Sequence, residues 1–301
     1  MSAVLDRRTL GRTLTRLANA SVAEVLAMVP AHAAETVTAH RIGITGPPGV
    51  GKSSLGGRLA ILRAASRRVG FLAIDPTSPR TGGAILGDRI RIDDLPGGAD
   101  LYVRSLASRS AGDGLADNLP EIIEALEGVG FDEILVETVG VGQAEYAARH
   151  QVDTLLLVLH PESGDMVQAM KAGVMELADL YVINKSDLPG APRFAAEINR
   201  VLHLAGTTAR SWTPPVVLTS IGDEESVGRL SSEIDRHRAW LDQSGLQPQR
   251  QLARARYRLR NLIERAVAET VAALPATLFS REFPEQYHEA LRRLGEPTEI
   301  G

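Results

Sequence analysis

The chain has 301 residues, 44% of them hydrophobic and 4% aromatic, with a formal net charge of −4 and no cysteine. That length holds one large α/β core with appended helices, or two modest domains. The acidic balance argues against a nucleic-acid binder, and the lack of cysteine excludes disulfide frameworks, cysteine-held zinc and thiol catalysis.

The N-terminus has no uninterrupted apolar segment of signal-peptide type. No run of about 18 apolar residues is present to span a membrane. A soluble, cytoplasmic protein is expected, with neither a membrane nor a nucleic acid as partner. Residues 4–37 read as helical, with Leu5, Leu10, Leu14, Leu17, Val22 and Val25 three to five apart, and a break near Pro30.

From residue 41 the pattern changes. Short apolar runs, "RIGIT", "VGFLAID", "DLYVRSL", "DEILVET", "DTLLLVLH", "DLYVIN" and "PPVVLTS", alternate with segments of helical period. Several lack polar alternation, which is how strands buried on both faces of a mostly parallel sheet read. Beyond residue 221 come two long helical segments separated by "SGLQPQ", then a short helix from 283 with a loose tail. The expected organisation is an N-terminal helical segment (1–39), an α/β nucleotide-binding domain of P-loop type (40–222) and a C-terminal helical arm (223–301).

The first apolar run leads into Gly46-Pro47-Pro48-Gly49-Val50-Gly51-Lys52-Ser53-Ser54. This is G-x-x-x-x-G-K-[ST] with a strand before it and a helical pattern after it. Its glycines let backbone N–H groups and a helix N-terminus surround phosphate oxygens. Lys52 is placed to reach the β- and γ-phosphates, and the Ser53 hydroxyl to ligate Mg²⁺. A Gly-Pro turn without function is the plain alternative, and the agreement of both flanking elements weighs against it.

Asp75 ends the second apolar run and precedes a Pro- and Gly-rich loop carrying Asp88. Such a loop can order around Mg²⁺ and γ-phosphate and release after hydrolysis. Asp75 and Asp88 are candidates for holding the metal's outer shell or orienting the attacking water, although Asp beside Pro is also ordinary turn chemistry. Glu137 closes the run "ILVE" and is a candidate Mg²⁺ carboxylate. Gly140 and Gly142 after it permit close backbone approach to a γ-phosphate.

"YVINKSDL" carries Asn184, Lys185 and Asp187 at the end of a later apolar run. A carboxylate at Asp187 can accept two parallel hydrogen bonds from guanine N1–H and its 2-amino group. Adenine has no donors there and would leave the carboxylate unpaired. Asn184 can support the O6/N7 side of the base or pin neighbouring loops, while the Lys185 stem can cover base and ribose. In "LTSIG", backbone N–H groups of Ser220, Ile221 and Gly222 are candidates for binding guanine O6. GTP and GDP, with Mg²⁺, are the expected ligands.

Together, "GPPGVGKSS", "AIDPTSPRTGGAILGDRIRI", "VRSLASR", "VETVGVGQAE", "GDMVQAMKAGVMELADLYVINKSD" and "LTS" resemble the MeaB/ArgK-type GTPases, over about residues 5–240. The resemblance implies a homodimeric GTPase chaperone of an adenosylcobalamin-dependent acyl-CoA mutase of the methylmalonyl-CoA mutase type. Such a chaperone gates cofactor delivery and protects the mutase from inactivation, and an adenosyltransferase is a further possible partner. By the same resemblance the 75–91 loop is switch I and "ETVGVGQ" switch II. "PESGDMVQAMKAG" is then a third switch in which Asp165 and Lys171 couple to the mutase, although an ordinary helix start also explains these two. The chain departs from the family at "SRSAGDGLADN", "PESGD" and the Ile of "LTSIG". Alternatives are a nickel or cobalt insertase GTPase, for which the seven scattered histidines form no cluster, a phosphotransferase, and a GTPase with another protein partner.

Overall fold

The computed structural model describes residues 6–28, 39–76, 100–108, 115–138, 143–161, 176–204 and 212–296. The apolar runs form β1 (His40–Thr45), β2 (Val69–Pro76), β3 (Leu101–Ser108), β4 (Glu133–Glu137), β5 (Thr154–Leu159), β6 (Leu180–Ile183) and β7 (Val216–Leu218). They make one seven-stranded sheet in the order β3-β2-β4-β1-β5-β6-β7, and each pairing is parallel. β1 is central: Ile42 lies opposite Leu135 of β4 on one side and Thr154 of β5 on the other.

The strands lack polar alternation because both faces are covered. Phe71, Leu135, Ile42, Ile44, Leu156, Val158, Leu180 and Val182 pack with α3 (Lys52–Arg63) and α7 (Glu224–Ser244). Their neighbours Leu72, Ile74, Ile134, Val136 and Leu155 turn the other way. There they meet α1 (Arg7–Asn19), α4 (Leu119–Gly128) and α5 (Gln143–Gln151). At the β6 side, Leu157, Leu159, Tyr181 and Ile183 meet α6 (Ala191–Leu204) through Phe194 and Ile198. The architecture is the α/β sandwich that the sequence led us to expect.

The N-terminal expectation needs correction. The helix does not run on to Pro30 but divides into α1 and α2 (Val22–Met28). Ala20 between them is extended (φ −71°, ψ 138°). Ser21 N–H donates to Glu24 Oε2 at 2.8 Å and Glu24 N–H donates to Ser21 Oγ at 3.3 Å. This reciprocal cap starts a new helix even though the apolar spacing continues. Residues 29–38, Pro30 among them, lie outside the described residues.

Helix α7 begins at Glu224 and buries Val227, Leu230 and Ile234 on the sheet. Gly245 ends it at φ 71°. The next helix, α8 (Gln247–Ala272), starts within "SGLQPQ" with Pro in its first turn, where the missing N–H costs nothing. Arg250 and Arg254 of α8 hydrogen-bond Asp153 at the foot of β5, and Tyr257 enters the core. A 3₁₀ turn (Ala276–Ser280) leads to α9 (Phe283–Leu294).

One buried ion cluster joins helix, sheet and helix. The Arg63 side chain of α3 and Glu133 of β4 are both fully shielded from solvent. Arg63 donates to both Glu133 oxygens at 2.6 Å, to Asp235 Oδ1 at 2.7 Å and to Ser231 Oγ at 2.7 Å, the last two on α7. Removing Arg63 would leave the buried Glu133 carboxylate only the longer contacts of Arg67 at 3.4 Å and Arg238 at 3.9 Å. Arg63→Met is therefore expected to lower unfolding free energy by about 3–5 kcal/mol, measured by urea titration. A loss under about 1 kcal/mol would show that water reaches Glu133 and that the cluster contributes little.

Candidate nucleotide site

All the described candidate residues leave the C-terminal ends of parallel strands, where open α/β sheets place their ligand crevice. Between β1 and α3, the loop turns on Gly46 (φ 142°), Gly49 (φ 80°) and Gly51 (φ 91°). A Cβ on Gly46 would lie 2.1 Å from the Val158 carbonyl oxygen, and one on Gly51 would lie 2.6 Å from Asn184 Nδ2. No side chain fits at either position. α3 then begins at Lys52 without a side-chain cap, so its first N–H groups are available to an anion. Val50 packs into the core, while Pro48 and Ser54 are exposed.

Lys52 is buried, and its ammonium donates to the carbonyls of Gly46 at 2.7 Å and Pro47 at 2.9 Å. The next side chain ties the loop to β4: Ser53 Oγ donates to Glu137 Oε1 at 2.6 Å. The second carboxylate oxygen, Glu137 Oε2, is buried with no hydrogen-bond partner among the described residues. Burial pushes the Glu137 carboxyl above its ordinary range, the Ser53 hydrogen bond and the Lys52 ammonium oppose this, and Asp75 adds to the rise. Asp75, at the end of β2 and also buried, thus faces the same corner.

Hydroxyl, buried orphan carboxylate oxygen and a second carboxylate form a donor set of hard oxygens, the kind Mg²⁺ takes. A short hydroxyl pair supports this corner from behind. Thr138 Oγ1 donates to Thr45 Oγ1 at 2.9 Å, and Thr138 N–H donates to the Ile44 carbonyl at 3.0 Å. Neither threonine was singled out in the sequence, because their contact joins two strand ends 93 residues apart.

The side expected to meet the base is built from β6 and β7. Asn184 is wholly buried and donates through Nδ2 to the Val50 carbonyl at 2.8 Å, so it pins the phosphate loop. Its Oδ1 accepts from Thr219 Oγ1 at 3.2 Å. Lys185 takes a left-handed conformation (φ 54°), the only non-glycine residue to do so among those described, and its ammonium donates to the Gly49 carbonyl at 3.0 Å. Asp187 is exposed and accepts from Ser220 Oγ at 2.7 Å. That hydroxyl, with the residue's own backbone N–H, holds its carboxyl below the usual range, so it stays an acceptor.

Of the three amides expected to meet a base oxygen, that of Ser220 already donates to Ser226 Oγ at 3.1 Å. Those of Ile221 and Gly222 have no hydrogen-bond partner among the described residues. Thr219 and Ser226 were not anticipated, although the "LTS" run holds the first of them. Asp88, Gly140, Gly142, Asp165 and Lys171 lie outside the described residues.

The family model for the methylmalonyl-CoA mutase-associated GTPase MeaB matches residues 10–276. The chain belongs to the MeaB family. A Pyrococcus abyssi protein with a provisional GTPase name is 41% identical over 243 residues, 79% of this chain and 74% of that one. The mitochondrial methylmalonic aciduria type A homolog of Mus musculus is 34% identical over 242 residues, 78% of this chain and 58% of the relative. The crystal structure of an LAO/AO transport system kinase superposes with a TM-score of 0.58 at 21% identity, covering 97% of this chain and 98% of that one, which shows a shared P-loop fold. The protein is a GTPase that binds GTP and GDP.

Glu137 gives the sharpest test of this geometry. Its folded-state pKa is raised, so the carboxylate disfavours the fold once pH rises through that value, and the neutral form does not. Glu137→Gln keeps an acceptor for Ser53 but removes the charge. Thermal unfolding of the nucleotide-free variant at neutral pH should be unchanged or raised, while GTP turnover falls about 100-fold or more. A variant that is destabilised but hydrolyses GTP normally would make Glu137 a structural residue only.

Proposed function

We propose that this GTPase is a chaperone of an adenosylcobalamin-dependent acyl-CoA mutase of the methylmalonyl-CoA mutase type. On this reading it gates delivery of intact cofactor and protects the mutase from inactivation. The observation that carries the reading is the match to the mutase-associated family over residues 10–276. Relatives in Mus musculus and Caenorhabditis elegans named for methylmalonic aciduria type A support it.

In the proposed mechanism the phosphates lie along the loop 46–51 and the first amides of α3, with the Lys52 ammonium moving from the Gly46 and Pro47 carbonyls onto them. Ser53 and Glu137 are the residues we assign to Mg²⁺, with Asp75 nearby and Asp88 as a further candidate. The ion, when bound, supplies charge neutralisation at the β- and γ-oxygens. Asp187 accepts the guanine N1–H and 2-amino hydrogens, the amides of Ile221 and Gly222 are offered to O6, and Lys185 covers the base. Asp165 and Lys171 remain the proposed coupling residues. Slow turnover that rises when a partner orders the switch segments fits a site whose described residues present no arginine finger.

Homodimerisation through the C-terminal arm is part of the proposal. On α8, Leu259, Ile263, Val267 and Val271 are exposed at four-residue spacing, and Phe283, Tyr287 and Leu291 repeat the pattern on α9, with Phe283 75% exposed. Such continuous apolar faces call for a covering surface. We assign the protein to the cytoplasm, a reducing compartment that the cysteine-free composition suits; no helix among the described residues is long and apolar enough to cross a membrane.

The test is steady-state hydrolysis of GTP and ATP with and without the adenosylcobalamin-dependent acyl-CoA mutase of the same organism. Turnover confined to GTP and raised several-fold by the mutase is expected. GTP turnover indifferent to the mutase would leave the GTPase in place and remove this partner.

A further inference from the structure

Away from the nucleotide site, α1 presents a second set of charges. Its inner side buries Leu10, Leu14 and Leu17, and its outer side exposes Arg7, Arg8, Arg12 and Arg16. Arg104 joins them from the edge strand β3, donating to the Gly11 carbonyl at 3.1 Å and to Thr15 Oγ1 at 3.0 Å. These five arginines and Thr15 line a shallow, widely open concavity.

Several arginines elsewhere are answered by carboxylates, as in Arg63–Glu133, Arg41–Glu127 and Arg258–Glu121. The four on α1 make no ion pair within 4 Å among the described residues, although, after the hydrogen bonds from Thr9 and Ser21, Arg12 helps to hold the Asp6 carboxyl low and Arg16 does the same for Glu24. The two carboxylates nearby serve as helix caps. Asp6 Oδ1 accepts from the N–H groups of Arg8 and Thr9, both at 3.1 Å, and Glu24, at the rim, accepts from Ser21 N–H at 2.8 Å. Arg7 and Arg8 also occupy the first turn, where the helix dipole is already positive and cations are disfavoured. Five arginines against Asp6 and Glu24 thus leave a net positive patch in a chain of net charge −4, and such a patch favours an anion.

We propose that this concavity binds a small anion bearing two or more phosphates. Arginine forks match phosphate oxygens in geometry as well as charge. Among the described residues that line the site there is no large apolar or aromatic side chain, so its chemistry there is that of charge and hydrogen bonding, which suits phosphate.

The experiment is calorimetric titration of inorganic tripolyphosphate, and separately ATP, into full-length protein whose nucleotide site is saturated with Mg–GDP. One saturable site is expected, weakened by added NaCl and at least ten-fold weaker in Arg12→Glu/Arg16→Glu. Basal GTP turnover of that variant should match the parent, since neither residue belongs to the nucleotide site. Arg12→Gln/Arg16→Gln removes charge without adding any and must weaken binding too, with retained GDP binding as the check that the fold is intact. Equal affinity for the two anions would identify the phosphate chain alone as the ligand feature, and tighter ATP binding a nucleotide. Absence of saturable binding at low salt, or binding undiminished in both variants, overturns the proposal.

Discussion

The site depends on a single buried amide. Asn184 Nδ2 reaches from the end of β6 to the Val50 carbonyl in the phosphate loop, and its Oδ1 takes the Thr219 hydroxyl from the end of β7. Gly51 must be glycine partly because Asn184 stands where a side chain would go. With Lys185 bonded to the Gly49 carbonyl, the segment proposed to read the base and the loop proposed to hold the phosphates form one braced unit. A buried hydrogen bond of this kind contributes about 1 kcal/mol net, but leaving the Val50 carbonyl unpaired costs about 1–3 kcal/mol.

The sheet order makes that brace possible. β1 is central, with β4 on one side and β5 then β6 on the other, so the loop after β1 has the Glu137 carboxylate on one flank and Asn184 on the other. Parallel strands bring all these chain ends to one edge. The opposite edge is held differently, by Arg63 between Glu133 and Asp235 and by Arg250 and Arg254 of α8 on Asp153. Burial pushes His40 down to about 3, so at that edge it stays neutral beside the Thr154 hydroxyl, which also contacts His237.

The strands and the phosphate loop were legible because both are local signals. Burial on two faces removes polar alternation, and G-x-x-x-x-G-K-S needs only eight neighbouring residues. The break at Ala20 was missed although Ser21 and Glu24 announce it, since the apolar spacing runs unbroken across the gap. Long-range partners were not legible at all. Nothing near Asn184 in the chain indicates Thr219, and nothing near Ser220 says that its N–H is taken by Ser226. Of the two readings offered for Asn184, the loop-pinning one has a contact in the fold, Nδ2 to the Val50 carbonyl.

The most direct measurement is GDP-displaceable binding of pyrophosphate to Asn184→Ala, alongside binding of GDP itself. Pyrophosphate has no base, so Asn184 can affect it only through the phosphate loop. The brace predicts that affinity for both ligands falls, each by about ten-fold or more. Undiminished pyrophosphate binding, with only GDP weakened, would mean that Asn184 serves the base alone and that the two halves of the site stand independently.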